Sequence, residues 1–310
     1  MTSLATDRDH AAPADLLTAL RTARTADPET MQHTLRAWNL RPLNGGRNND
    51  VYAWNGPHGE ICIKLYTKTD RRRVEREWHG LTHVAPLGCA PTPLWLDPHP
   101  EQPALGMTLI PGTPILEHPN PATAIKSLAE TTRAMQALPL TEPLASLQRI
   151  DSISHYITRL TKIWPAQLAN AADDPHTTDM LTLLRLWQDS GDATTLSHPT
   201  TAVYSRGDAN LLNWHHHGNQ TYVVDFEFSG HSDTAVDAAD HIEHISARII
   251  PDRIWTNTET DLGINQTNRT RFNAAQRTIA LRWLAVLWKQ RYKRAVEFTT
   301  QYERVSVLFS

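Results

Sequence analysis

The chain has 310 residues, with 30 Lys and Arg against 33 Asp and Glu, a formal net charge of −3. Such a balance offers no general attraction to nucleic acid or to an anionic membrane, so a polyanionic partner is not implied. The length and the 40% hydrophobic content suffice for two lobes and a sizeable core.

The first twenty residues carry Asp7, Arg8, Asp9 and Asp15 and no unbroken apolar run, which makes a poor signal peptide. The apolar stretch at 281–288 contains Arg282 and is too short to span a bilayer. The expectation is a soluble cytoplasmic protein. Cys62 and Cys89 fall in no metal-ligand or redox spacing and read as reduced thiols.

In chain order, residues 1–12 read as frayed, and Pro13-Ala14-Asp15 opens a helix carrying Leu16, Leu17 and Leu20. A second short helix runs from Pro28 to Trp38. Gly45-Gly46 and Asn48-Asn49-Asp50 then mark strand, turn, strand, and after the turn at 55–59 a third strand at 60–66 carries Lys64 at its centre. Alone, the glycine pair is an ordinary turn and the lysine a solvated strand residue. Residues 70–81 have a helical stripe of Val74, Trp78 and Leu81, with Glu77 on the adjacent face and Glu75 nearby. A proline-rich connection at 86–100 leads to a strand at 106–110 and the turn Pro111-Gly112-Thr113-Pro114. Helices are expected at 124–137, 150–168 and 179–189, with Met135, Trp164 and Trp187 in the core. His215, His216 and His217 read as a wet loop before the Gly218-Asn219 turn. The polar stretch 251–273, anchored by Trp255 and Leu262, reads as a lid or binding loop, followed by one long helix over 274–298 whose stripe includes Trp283 and Tyr292.

The chemistry concentrates between Tyr204 and Glu227. Asp208, Asn213 and Asp225 all offer side-chain oxygen, and a loop followed by a tight hairpin can gather them at one mouth. Such a set suits Mg²⁺ and phosphate, with a spare carboxylate left to orient an attacking hydroxyl. Asp208 is the candidate for that carboxylate.

With Arg206-Gly207-Asp208, Asn213 and Asp225 in this order, the sequence resembles the aminoglycoside phosphotransferase and choline kinase-like small-molecule kinases, relatives of protein kinases. The resemblance implies an α+β, two-lobed protein-kinase-like fold, with a small N-terminal lobe bearing an antiparallel sheet (residues 1–110) and a mainly helical C-terminal lobe (111–310). It implies ATP or GTP and Mg²⁺ as cofactors. Asp208 then acts as catalytic base, and Asn213 and Asp225 hold the metal. Lys64 contacts nucleotide phosphates beneath Gly45 and Gly46, and Glu77, with Glu75 as competitor, pairs with Lys64. Met107, Thr108, Leu109 and Ile110 form the hinge strand that meets the adenine, and Glu227 could reach the ion or its waters. Asp237 stabilises the catalytic loop, a role compatible with capping the helix that follows it. Arg206 replaces the family's usual His, and either Arg206 or a backbone amide is expected to add to phosphate neutralisation.

The implied activity is transfer of a γ-phosphoryl group to a hydroxyl of a small molecule. Asp233, Asp240, Glu243, Glu259 and Asp261 would suit a cationic acceptor such as an aminoglycoside or a basic peptide antibiotic, with Asp240 and Glu243 as acceptor-binding residues. Choline, homoserine or a sugar remains open as acceptor, with Trp255 able to box a quaternary ammonium. The alternative of a different class is an inactive, nucleotide-binding regulator, which only Arg206 favours. The stretch after Asp225 lacks an Ala-Pro-Glu closing motif, which speaks against a protein substrate.

Overall fold

The computed structural model describes residues 12–43, 49–56, 59–66 and 71–310. Gly45 and Gly46 therefore lie outside the described residues. The chain forms two compact units, Met1–Gly112 with Tyr222–Glu227, and Thr113–Thr221 with Phe228–Ser310. A single break after residue 110 was expected. Instead the second unit hands a short segment back to the first.

The first unit opens with helices α1 (Ala14–Thr25) and α2 (Pro28–Ala37), the latter capped by Asp27, whose side chain accepts from Thr30 N. Five strands follow: β1 (Leu40–Pro42), β2 (Asn49–Gly56), β3 (Gly59–Tyr66), β4 (Pro93–Asp97) and β5 (Ala104–Thr108), with α3 (Arg71–Val84) between β3 and β4. They make one antiparallel sheet in the order β1-β2-β3-β5-β4. Strand β4 occupies the stretch read as a proline-rich connection. Its prolines sit at the strand start and outside it on a sheet edge, where a missing N–H is tolerated. Alternation along β3 sends Ile63 and Leu65 into a core with Leu16, Leu17, Leu20, Tyr52 and Trp95. Lys64 is thereby turned to the opposite face.

In the second unit the helices are α4 (Pro121–Ala137), α5 (Ile153–Thr158), α6 (Trp164–Ala169), α7 (Thr177–Asp189), α8 (Asp192–Ser197), α9 (Thr234–Glu243), α10 (Asp252–Thr258), α11 (Arg269–Trp288) and α12 (Ala295–Leu308). A π-helical turn at Arg159–Ile163 joins α5 to α6. The core gathers Trp164, Trp187, Leu281, Leu284 and Phe298, and the Trp187 indole donates to Thr278 Oγ1 at 2.9 Å. Short strands β6 (Thr113–Pro114), β7 (Val203–Ser205), β8 (Trp214–His217), β9 (Gln220–Val223) and β10 (Gly230–Ser232) frame the loop around Asp208. Strand β7 pairs antiparallel with β10, and β6 with β8.

Three expectations change here. The histidine triplet is a strand rather than a wet loop, with His216 Nε2 2.9 Å from Thr113 Oγ1. The stretch 251–273 contains α10 and the start of α11, because Ile254, Trp255 and Leu262 are all buried and draw the chain onto the core. The long final helix is two, broken at 289–294, where a run of charged and polar residues has nothing to bury. Tyr292, placed in the core stripe by its spacing, is 68% exposed and donates to Asp174 Oδ2 instead. No helix among the described residues is long and apolar enough to cross a membrane.

Candidate active site

In the first unit, Lys64 anchors a buried ionic cluster. Its Nζ lies 2.6 Å from Glu77 Oε2, 2.8 Å from Asp225 Oδ1 and 3.4 Å from Glu227 Oε2. Glu77, not Glu75, is the α3 carboxylate that meets the lysine. Tyr66, two residues along β3 and so on the same face, donates its hydroxyl to Glu77, and Phe226 N donates to Glu77 Oε1 at 3.3 Å. Glu227 in turn accepts from Arg73 Nη1 at 2.8 Å and Asn49 Nδ2 at 2.7 Å. Burial pulls the Lys64 pKa down, but Asp225 and Glu77 outweigh it and hold the pKa well above the usual amine range. The ammonium is a fixed positive charge.

Glu77, Asp225 and Glu227 bring ligand oxygens within 4.8 Å of one another. The cation at their centre is Lys64 itself, so the cluster is not a metal centre by its own means. Asp225 is the exception. Its side chain keeps 33% exposure, whereas Glu77 and Glu227 keep 2% each. Its backbone is left-handed at φ 68°, a conformation that costs a non-glycine residue about 1–2 kcal/mol. Fully buried Phe226 follows at once, so the Asp225 carboxylate meets Lys64 while remaining the most exposed of the three. A hard, oxygen-seeking cation such as Mg²⁺ fits this donor chemistry.

In the second unit, β7 delivers Arg206, Gly207 and Asp208. Gly207 has φ 81°, and a Cβ there would stand 2.3 Å from the carbonyl oxygen of Phe228, so only glycine fits. Asp208 Oδ1 accepts from Asn210 N at 2.9 Å, closing an Asx turn, and Oδ2 accepts from Asn213 Nδ2 at 2.6 Å. With its nitrogen committed to Asp208, Asn213 has its carbonyl oxygen as the atom able to ligate a metal.

Asp237 braces the loop from α9. Ser205 Oγ accepts from Gly207 N at 3.2 Å and donates to Asp237 Oδ1 at 2.9 Å, while Arg149 Nη1 holds the same oxygen at 3.0 Å. The helix cap is Asp233, which accepts from Val236 N at 3.0 Å, so Asp237 is the loop brace and not the cap. Burial pushes the Asp237 pKa up against the pull of Arg149.

Arg206 is buried, its guanidinium 5.7 Å from the Trp214 ring centroid and 3.8 Å from Asp208 Oδ2. It lies under the loop, which takes it out of the phosphate-neutralising role expected of it. Arg149, Arg206, Trp214, Asp237 and His241 line a cavity of about 20 Å³ there, room for one water and far too small for an acceptor.

The acceptor-binding assignment of Asp240 and Glu243 is overturned. Both are buried: Arg149 grips Asp240, and Arg304, Arg248 and Gln276 surround Glu243. Burying a carboxylate is costly unless it is paired, and these are paired internally. Asp233 and Glu259 are likewise engaged by Arg271 and Arg269. Trp255 is 1% exposed and packs in the core, so it boxes no ligand. At the expected hinge, Met107 and Thr108 belong to β5, whereas Leu109 and Ile110 lie past its last paired residue and are half-buried.

Residues 39–290 match the model of the APH phosphotransferase enzyme family. The chain belongs to that family. As an APH family member it is a phosphotransferase enzyme with a protein-kinase-like fold. A choline/ethanolamine kinase family protein from Mesorhizobium loti is similar at 16% identity over 95% of each chain, with a TM-score of 0.62. A thermostable mutant of aminoglycoside phosphotransferase APH(4)-Ia is similar at 13% identity over 90% of this chain and 97% of its own, TM-score 0.65. Spectinomycin phosphotransferase APH(9)-Ia, solved with ADP and spectinomycin, is similar at 10% identity over 92% and 98%, TM-score 0.59. No curated protein matches the sequence.

Asp237 is identifiable through the family resemblance, from its distance past Asp225 and its place before Ala238. Arg149, which holds Asp237 from 88 residues away, carries no local signal.

Proposed function

We propose that this phosphotransferase moves the γ-phosphoryl group of a nucleoside triphosphate, ATP or GTP, to a hydroxyl of a small molecule. The observation that carries the reading is the Lys64 ammonium held 2.6 Å from Glu77 and 2.8 Å from Asp225, a fixed positive charge next to an accessible carboxylate. In this reading Asp208 orients the acceptor hydroxyl and takes its proton as the oxygen bonds to the γ-phosphorus. The bond from that phosphorus to the β–γ bridging oxygen breaks, and the nucleoside diphosphate leaves with the electron pair. Lys64 holds phosphate charge, while Glu77 and Tyr66 keep its ammonium in place. Asn213 and Asp225 are the residues that would hold Mg²⁺, which when bound neutralises charge on the triphosphate. Leu109 and Ile110, beyond the β5 ladder, have backbone groups suited to an adenine edge.

For the acceptor we favour an alcohol that also carries a cationic nitrogen. Support comes from the relatives alone: one is named for choline and ethanolamine, one was solved with spectinomycin, and an APH(4)-Ia complex holds AMP-PNP and hygromycin B. Asp240 and Glu243 no longer contribute to that argument. Phosphate transfer should be measured with ATP and GTP, with and without Mg²⁺, across aminoglycosides, basic peptide antibiotics, choline, homoserine and sugars. Transfer to cationic alcohols is expected. A best acceptor without a cationic group would overturn the acceptor class, and no transfer to any hydroxyl would overturn the reaction.

A further inference from the structure

We propose that His244 and Ser246 are positioning residues that hold the Asp208 loop from its far end, so that α9 and the turn after it grip the loop at two points. The proposal concerns the loop itself, and its catalytic consequence rests on the role given above to Asp208.

The first grip is the one already described, from Asp237 through Ser205 to Gly207 N. The second lies at Ser246, nine residues beyond Asp237. Leu211 N donates to Ser246 Oγ at 2.9 Å, and Leu211 is fully buried, so this N–H needs a protein partner. Ser246 Oγ is 2.7 Å from His244 Nδ1, and Ser246 N donates to the same ring nitrogen at 3.1 Å. A nitrogen that receives a backbone N–H must be bare, which puts the ring proton on Nε2. The Ser246 hydroxyl proton then points at His244, and its lone pairs face Leu211. Direction is therefore fixed along the whole chain of three groups.

The imidazole is itself held. Its ring meets Trp283 edge-on at 4.7 Å between centroids. Burial lowers its pKa, and Arg282 and Arg206 add to that against the opposing pull of Asp208 and Asp240, so the neutral form that can accept is the resident one. Between Gly207 and Leu211 sits Asp208, whose own turn closes on Asn210. Fixing both flanks leaves the carboxylate few ways to reorient, the condition for proton transfer at a defined atom.

The test uses the full-length protein and three variants: Ser246→Ala, Ser246→Thr and His244→Phe. Amide exchange is followed first, with no nucleotide or acceptor present. Ser246→Ala and His244→Phe should speed exchange in the peptide covering 208–213 by about tenfold or more, the scale of one buried hydrogen bond, while peptides of α11 stay as in the parent. Ser246→Thr, which keeps a hydroxyl, should restore protection. With ATP, Mg²⁺ and the best acceptor from the panel above added, kcat should fall by about tenfold in the first two variants, with the KM for ATP within about twofold of the parent. Unchanged loop exchange in Ser246→Ala would overturn the proposal. So would an effect in Ser246→Thr as large as in Ser246→Ala, because only the hydroxyl is claimed to matter. Faster exchange with unchanged kcat would overturn the catalytic consequence. If Asp208 itself proved dispensable, the exchange result would still decide the grip, so the two failures can be told apart.

Discussion

Asn213 Nδ2 donates to Asp208 Oδ2 at 2.6 Å, so the residue read as a metal ligand also orients the residue read as the base. Replacing Asp208 by Asn sets two amides against each other and removes the proton acceptor. Turnover should fall by at least about 10²-fold, the scale of general-base assistance. Nucleotide affinity should stay within a few-fold, because Lys64 is untouched. Steady-state kinetics beside calorimetric nucleotide titration separates the two, and turnover close to that of the parent removes Asp208 from the role.

Substituting Asp225 by Ala should act on binding instead. Calorimetry should show weaker nucleotide affinity in the presence of Mg²⁺, and a smaller difference between titrations with and without the ion. Equal Mg²⁺ dependence in parent and variant would show that Asp225 does not serve the metal.

Lys64 is the shared partner of three carboxylates, so Lys64→Met leaves buried negative charge uncompensated and should cost about 3–5 kcal/mol of stability. Lys64→Met combined with Glu77→Gln should recover part of that loss without recovering activity. Denaturant unfolding of both singles and the double measures the coupling, and strict additivity would count against a tight pair.

Because Asp240 and Glu243 are internal, neutralising them should destabilise the fold rather than weaken acceptor binding. Asp240→Asn and Glu243→Gln are each expected to lower the melting temperature, with the acceptor KM unchanged wherever the protein remains folded. A raised acceptor KM at undiminished stability would restore them as binding residues.

His241 gives a pH dependence whose sign can be worked out. Burial, reinforced by Arg206, pushes its pKa down to about 3 from an ordinary 6.5. The unfolded chain therefore takes up a proton that the folded chain refuses between those values. The stability associated with neutral His241 is fully present above pH 6.5 and is lost as pH falls towards 3, by up to about 1.4 kcal/mol per unit. His241→Phe should flatten the pH profile of unfolding free energy over that window by about one proton, and an unaltered slope would show that the imidazole is accessible to solvent protons.

The parts of the site readable from sequence are those set by local spacing. The Asp208 to Asn213 interval is closed by an Asx turn within six residues, and alternation along β3 dictates that Lys64 opposes Ile63 and Leu65. Glu77 could be preferred to Glu75 only through the family resemblance, from its place four residues before Leu81; the helical stripe by itself leaves both open. Asp240 and Glu243 of α9 are the converse case. Their spacing mimics a solvated face, yet every residue from Ala235 to Glu243 is buried, and the charges are neutralised by Arg149 and Arg304, 91 and 61 residues away from Asp240 and Glu243. No local pattern carries that information. The break after Trp288 and the strand at 214–217 are similar cases, decided by what neighbouring elements leave to be covered.

The return of Tyr222–Glu227 to the first unit sets an order of events during synthesis. Lys64 and Asp225 are 161 residues apart in sequence, so on a ribosome the N-terminal sheet emerges long before the carboxylates that complete its charge balance. A buried lysine facing only Glu77 and Tyr66 is a half-finished core. The nascent N-terminal unit should therefore stay sensitive to protease until residue 227 has cleared the exit tunnel, and a fragment ending at residue 112 should not mature without a 222–227 peptide supplied in trans.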